Sequence, residues 1–90
     1  MAIYKLATLA DLKELDSTKP LMLDTETSKL GSQIRLIQLY QDDMDQVLIF
    51  DTIDTGVETL WMFLQDFHLV GHNLLYDLGC FKNDIGDTFS

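Results

Sequence analysis

Cysteine, proline and basic side chains are scarce in this 90-residue sequence. The one cysteine, Cys80, excludes a disulfide framework or a multi-cysteine zinc site within one chain. Set among apolar residues, it reads as a small buried hydrophobe. With one proline, no low-complexity tract and no long charge run, no segment has the composition of a disordered chain. No stretch approaches the ~18 apolar residues of a membrane helix. The opening MAIYKLATLA carries neither an apolar h-region nor a cleavage pattern. A cytoplasmic protein with no membrane partner is therefore expected. Lysine and arginine number 6 against 15 aspartates and glutamates, a net charge of −9. Such a surface repels nucleic acid and other polyanions. Bound divalent cations can invert that sign locally, or another domain or chain can supply the basic surface.

What is present suffices for one small domain, residues 1–90. Hydrophobic residues make up 47% of the chain, enough for a single core, and a chain of this size buries a little over ~60% of its unfolded surface. TLADLKEL, residues 8–15, reads as a short helix, with Thr8 and Asp11 in a capping pattern and Leu9, Leu12 and Leu15 on one face. DSTKP breaks it. Leu21 to Thr27 reads as a strand, apolar on both faces at its start and hence central. Gln33 to Tyr40 and Val47 to Phe50 read as two more strands. Short polar connections make the three an antiparallel meander. The period then changes: Val57, Leu60, Trp61 and Leu64 fall at i, i+3, i+4 and i+7 of an amphipathic helix. HLVGHN gives a short strand running into a loop, and Leu74, Leu78, Phe81 and Ile85 mark a last helix.

Two motifs carry chemistry. LMLDTETSKL places Asp24 and Glu26 two apart on the first strand of the meander, so both point to one face while Leu23 and Thr25 point to the other. Two like charges so close repel unless a cation, a proton or a basic partner intervenes. Hard divalent cations with oxygen ligands suit the pair; a solvated edge strand also accommodates it. GHNLLYD places Asn73 and Asp77 at i and i+4, on one face of the last helix. This brings a third carboxylate toward the first two if that helix packs beside the strand. Alone, the segment reads equally as an asparagine N-cap and a solvated aspartate. His68 and His72 have zinc-like spacing, but LVG between them reads as strand and turn, and the helix a zinc site needs is missing.

The order of the motifs, D-x-E on a strand and then N-x-x-x-D on a helix, resembles the DEDD, or DnaQ-like, superfamily of 3′→5′ exonucleases. The branch it resembles holds ribonuclease D and the proofreading domains of family A DNA polymerases. The resemblance rests on LMLDTETSKL (21–30), QIRLIQLY (33–40), VLIFDT (47–52) and LVGHNLLYDLGCFK (69–82). It implies an α/β, ribonuclease H-like fold, a mixed sheet starting with the three-stranded antiparallel meander and incomplete at the C-terminus. It implies a two-metal site for Mg²⁺ or Mn²⁺, with Asp24, Glu26 and Asp77 as three of four catalytic metal carboxylates. Thr25, Thr27, Leu30, Asn73 and Tyr76 match positions that line the substrate or pack beside it. The implied partner is the 3′ end of single-stranded DNA or RNA; further partners are the missing C-terminal part, a polymerase domain or a second copy of the chain. In the family the fourth carboxylate comes later, on a C-terminal helix. Asp84 and Asp87 do not match it. The expected function is metal-dependent 3′→5′ exonuclease activity in the complete protein, with little from these 90 residues alone. The alternative is an inactive exonuclease-like remnant kept as a binding or oligomerisation module.

Overall fold

Alternation along Leu21–Thr27 gives that strand two unlike faces, and the fold follows from covering one of them. The computed structural model describes residues 3–28 and 33–86. Its elements are β1 (Tyr4–Leu6), a 3-10 helical stretch (Leu9–Glu14), β2 (Leu21–Thr27), β3 (Ile34–Tyr40), β4 (Val47–Asp51), α1 (Thr52–Thr55), α2 (Val57–Leu64), β5 (Leu69–Val70) and α3 (Leu74–Ile85). The strands form one mixed sheet in the order β1-β4-β3-β2-β5. β2, β3 and β4 are the expected antiparallel meander. Parallel partners flank it, β1 on β4 and β5 on β2.

One face of the sheet is dry. Leu21, Leu23, Ile37, Leu39, Leu48 and Phe50 are buried there, in one core with Leu60, Trp61 and Leu64 of α2 and Cys80 and Phe81 of α3. The helical spacings made this core: Leu60, Trp61 and Leu64 fall on one stripe, and Phe81 comes seven residues after Leu74. Trp61 and Phe81 join the two helices, their ring centroids 4.9 Å apart at 36°, a tilted arrangement that suits the ring quadrupoles. Asp84, near the end of α3, accepts a 2.8 Å hydrogen bond from the Ile34 backbone N–H, which pins α3 to the start of β3.

The other face is open. Residues paired in register share a face, so Leu6, Ile49, Gln38 and Asp24 form one row across it. Tyr4 with Val47, and Met22 with Tyr40 and Val70, belong to the next.

Three elements differ from expectation. β1 carried no strand signal, because three residues are too short for a period to show; its parallel pairing with β4 makes it a strand. Residues 9–14 wind as a 3-10 helix, with the Thr8 N–H donating to Asp11 Oδ2 at 2.8 Å. Short pieces of this kind commonly adopt the tighter winding. α1 is a single extra turn begun by Asp51.

Asp51 clasps three elements. It ends β4, accepts the Ile53 N–H at 2.9 Å as N-cap of α1, and pairs with Arg35 of β3 at 3.0 Å. The Ile53 N–H and then the Arg35 guanidinium hold its carboxyl below the ordinary value of 3.8. Asp11, bonded by Lys5, and Asp16, bonded by Thr18, are lowered in the same way. The folded chain therefore binds these protons more weakly than the unfolded chain. The stabilisation is complete above the unfolded value and is lost as the pH falls through the folded ones. Thermal melts between pH 2 and pH 6 should show the melting temperature falling below about pH 4. Asp51→Asn, which keeps the cap acceptor but not the charge, should flatten that fall by the share of Asp51, leaving the shares of Asp11 and Asp16.

Candidate active site

The D-x-E strand and the N-x-x-x-D helix meet along one edge of β2. β5 pairs only with Leu21 and Met22. From Leu23 onward that edge is left to the turn Gly71–Asn73 and to the start of α3. Gly71 permits the close approach: a Cβ there would stand 2.7 Å from the Leu23 carbonyl oxygen. The turn then gives way to α3, whose first turn holds Asp77, a placement that favours a carboxylate at the positive end of the helix dipole.

Alternation does the rest. Asp24 and Glu26 lie on the open face and are exposed, as expected. A register shift between Glu26 and Thr27 breaks the β2–β3 ladder just after the pair, a bulge of the kind that re-aims side chains beside active sites. Thr25 points the other way and is 8% exposed. Its hydroxyl donates to Asp77 Oδ1 at 2.5 Å, and Asp77 is only 2% exposed. The solvated aspartate that the sequence also allowed is not what forms. The structure thus sets Asp24 beside Glu26 and ties Asp77 to the residue between them, but it does not gather all three. Among the described residues no three His, Cys, Asp or Glu side chains are close enough together to hold a metal ion. The cause is the pleat: Thr25 lies on the buried face, and its hydroxyl holds Asp77 there.

In donor chemistry the three side chains still fit a hard divalent cation: all are carboxylates and none is a thiolate. Beside Asp24 the open face sinks into a cavity of about 400 Å³, lined by Met22, Gln38, Tyr40, His72 and Asn73 among others. Gln38, directly across from Asp24 in register, reaches Glu26 Oε1 at 3.5 Å. Gln38 is a residue that the motifs do not mark, although a polar side chain between Ile37 and Leu39 was a usable signal. Asn73 stands at the N-cap of α3 without a side-chain cap bond; it is exposed. Its backbone carbonyl accepts from the Tyr76 and Asp77 N–H groups. Tyr76 is exposed and Thr27 half-buried. Leu30 lies outside the described residues, as does Asp87. Asp84 is committed to the Ile34 backbone N–H. His68 and His72 are separated by β5 and a turn, so no helix presents them together.

A family model described as 3′-5′ exonuclease matches residues 2–90. The chain belongs to this exonuclease family. A similar relative is DNA polymerase I of Aquifex aeolicus (strain VF5), 36% identical over 67 residues, which are 74% of this chain and 11% of the polymerase. A similar solved structure is Trypanosoma brucei RNase D in complex with RNA U12, at 20% identity and a TM-score of 0.59 over 90% of this chain and 33% of that one. The structural likeness shows the fold, the ribonuclease H-like α/β arrangement expected of an exonuclease. The chain spans about a tenth of the polymerase and a third of the RNase D chain.

The exonuclease motifs depend on the close crossing at Gly71. Gly71→Ala should cost about 1–3 kcal/mol, as overpacking does, measured by urea denaturation. An unchanged midpoint would show that the crossing has slack.

Proposed function

We propose that this chain is part of a divalent-metal-dependent 3′→5′ exonuclease that removes nucleotides from single-stranded 3′ ends, with Asp24, Glu26 and Asp77 as carboxylate ligands for Mg²⁺ or Mn²⁺. The observation that carries the proposal is the docking of the N-x-x-x-D helix onto the D-x-E strand through Thr25 and Asp77, within a chain of the exonuclease family. The net charge of −9 supports it: a polyanionic substrate approaches such a surface when cations sit at the contact point. When bound, a pair of such ions stabilises the attacking and leaving oxygens of an in-line displacement.

The chain's own residues have separate tasks. Asp24 and Glu26 present hard oxygen donors from one strand face, spaced by the pleat. Asp77 offers a third from the first turn of α3, beside the same strand. Thr27, Asn73 and Tyr76 flank the strand end and the helix start, where the 3′-terminal nucleotide is proposed to lie, and Leu30 is proposed to contact it on the strength of its place in the motif. Titrating Mn²⁺ into the protein should raise its melting temperature, by the equivalent of about 2.7 kcal/mol at a hundredfold excess over Kd. Asp24→Asn with Glu26→Gln should abolish the rise. Equal rises in the wild type and the double variant would sink the proposal.

One observation favours a second reading, a module for binding or self-association. Leu6 is 72%, Tyr4 57% and Met22 49% exposed on the open face, next to half-buried Val47 and Ile49. Exposed apolar surface of this kind attracts partners when contiguous. Sedimentation equilibrium of the pure chain should then show concentration-dependent association that Leu6→Lys reverses. A monomer at all concentrations would count against it.

A further inference from the structure

The residue between the two paired carboxylates is the one whose hydroxyl holds the third. We infer that Thr25 is a positioning residue, whose hydroxyl fixes the orientation of Asp77 for binding a divalent cation. This rests on the proposed metal-ligand role of Asp77.

The three carboxylates differ in freedom. Asp24 and Glu26 are exposed, and Glu26 accepts a long hydrogen bond of 3.5 Å from Gln38. Both can change rotamer on the open face. Asp77 cannot: it is buried on the first turn of α3 and held at Oδ1 by a 2.5 Å bond from Thr25. That bond is short, as expected of a hydroxyl donating to a carboxylate. Threonine suits the task because a β-branched side chain has few χ1 states, so its hydroxyl is placed by the strand itself. One oxygen of Asp77 is thus committed and the other is oriented by that commitment. Groups that hydrogen-bond a ligating carboxylate typically change metal affinity 10–100-fold when removed. A threonine hydroxyl locked into the D-x-E strand also couples the register of β2 to the angle of α3, so the two motifs are placed by one bond.

The test compares Mn²⁺ affinity, read from the EPR signal of free Mn²⁺, with the position of Asp77 in crystals of the metal-free variants. Thr25→Val keeps the shape but removes the donor; it should weaken Mn²⁺ binding by about 10–100-fold and leave Asp77 displaced. Thr25→Ser restores the donor and should return both to near the wild-type state, a rescue that a mere packing role does not predict. If Thr25→Val does not fold, Thr25→Ala removes the same hydroxyl and is read in the same way. The inference is overturned if the hydroxyl-free variant binds Mn²⁺ as tightly as the wild type while Asp77→Asn binds it more weakly. If Asp77→Asn also binds as tightly as the wild type, the metal-ligand role of Asp77 falls, and the inference with it.

Discussion

The Thr25–Asp77 hydrogen bond is where the two halves of this chain are joined chemically. Among the described residues, α3 is otherwise held to the sheet by apolar packing and by the bond from the Ile34 N–H to Asp84 at the start of β3. The Thr25 link instead buries a carboxylate, and a buried carboxylate is tolerable only with a donor in place. Given that bond, the start of α3 must lie against the middle of β2. The turn before it must then cross the Leu23 carbonyl closely enough to require Gly71, and β5 must end after two residues to let the turn through. The brevity of β5, the glycine and the buried aspartate share one cause.

The sheet divides the labour of the molecule between its faces. The dry face carries nearly all the apolar stabilisation, through Leu21, Leu23, Ile37, Leu39, Leu48 and Phe50 against α2 and α3. The open face carries the Asp24–Glu26 pair and the exposed apolar residues at once. Asp24 ends a cross-strand row that starts at Leu6 and runs through Ile49 and Gln38. A charged pair at one side of a partly apolar face suits a site that something else helps to enclose. The acidic surface makes cations the natural mediators for any nucleic acid that comes to it.

Much of this was legible in the residues. The period of two along β2 predicted which side chains share a face, and Asp24, Glu26 and Thr25 lie accordingly. The period of 3.6 marked Leu60, Trp61, Leu64 and Phe81 as core. β1 was not legible, since three residues with no alternation become a strand only by pairing with β4. Nor was the 3-10 winding of residues 9–14, which the same capping residues serve as well as they serve an α-helix. The burial of Asp77 was hidden for a different reason. A carboxylate on a helix face reads as solvated, and its donor lies 52 positions away.

By itself the sequence determined the element types, the core stripes and the family, because these rest on local periodicity and on motif order. It also determined that Asp24 and Glu26 would be neighbours, because a strand allows nothing else. Only the tertiary structure decided which side of β2 receives α3, and therefore that Asp77 bonds Thr25 on the dry face while the other two carboxylates stay in water. The physical reason is that helix docking sums many distant contacts, the burial of Cys80 and Phe81 against the sheet together with the Thr25–Asp77 bond.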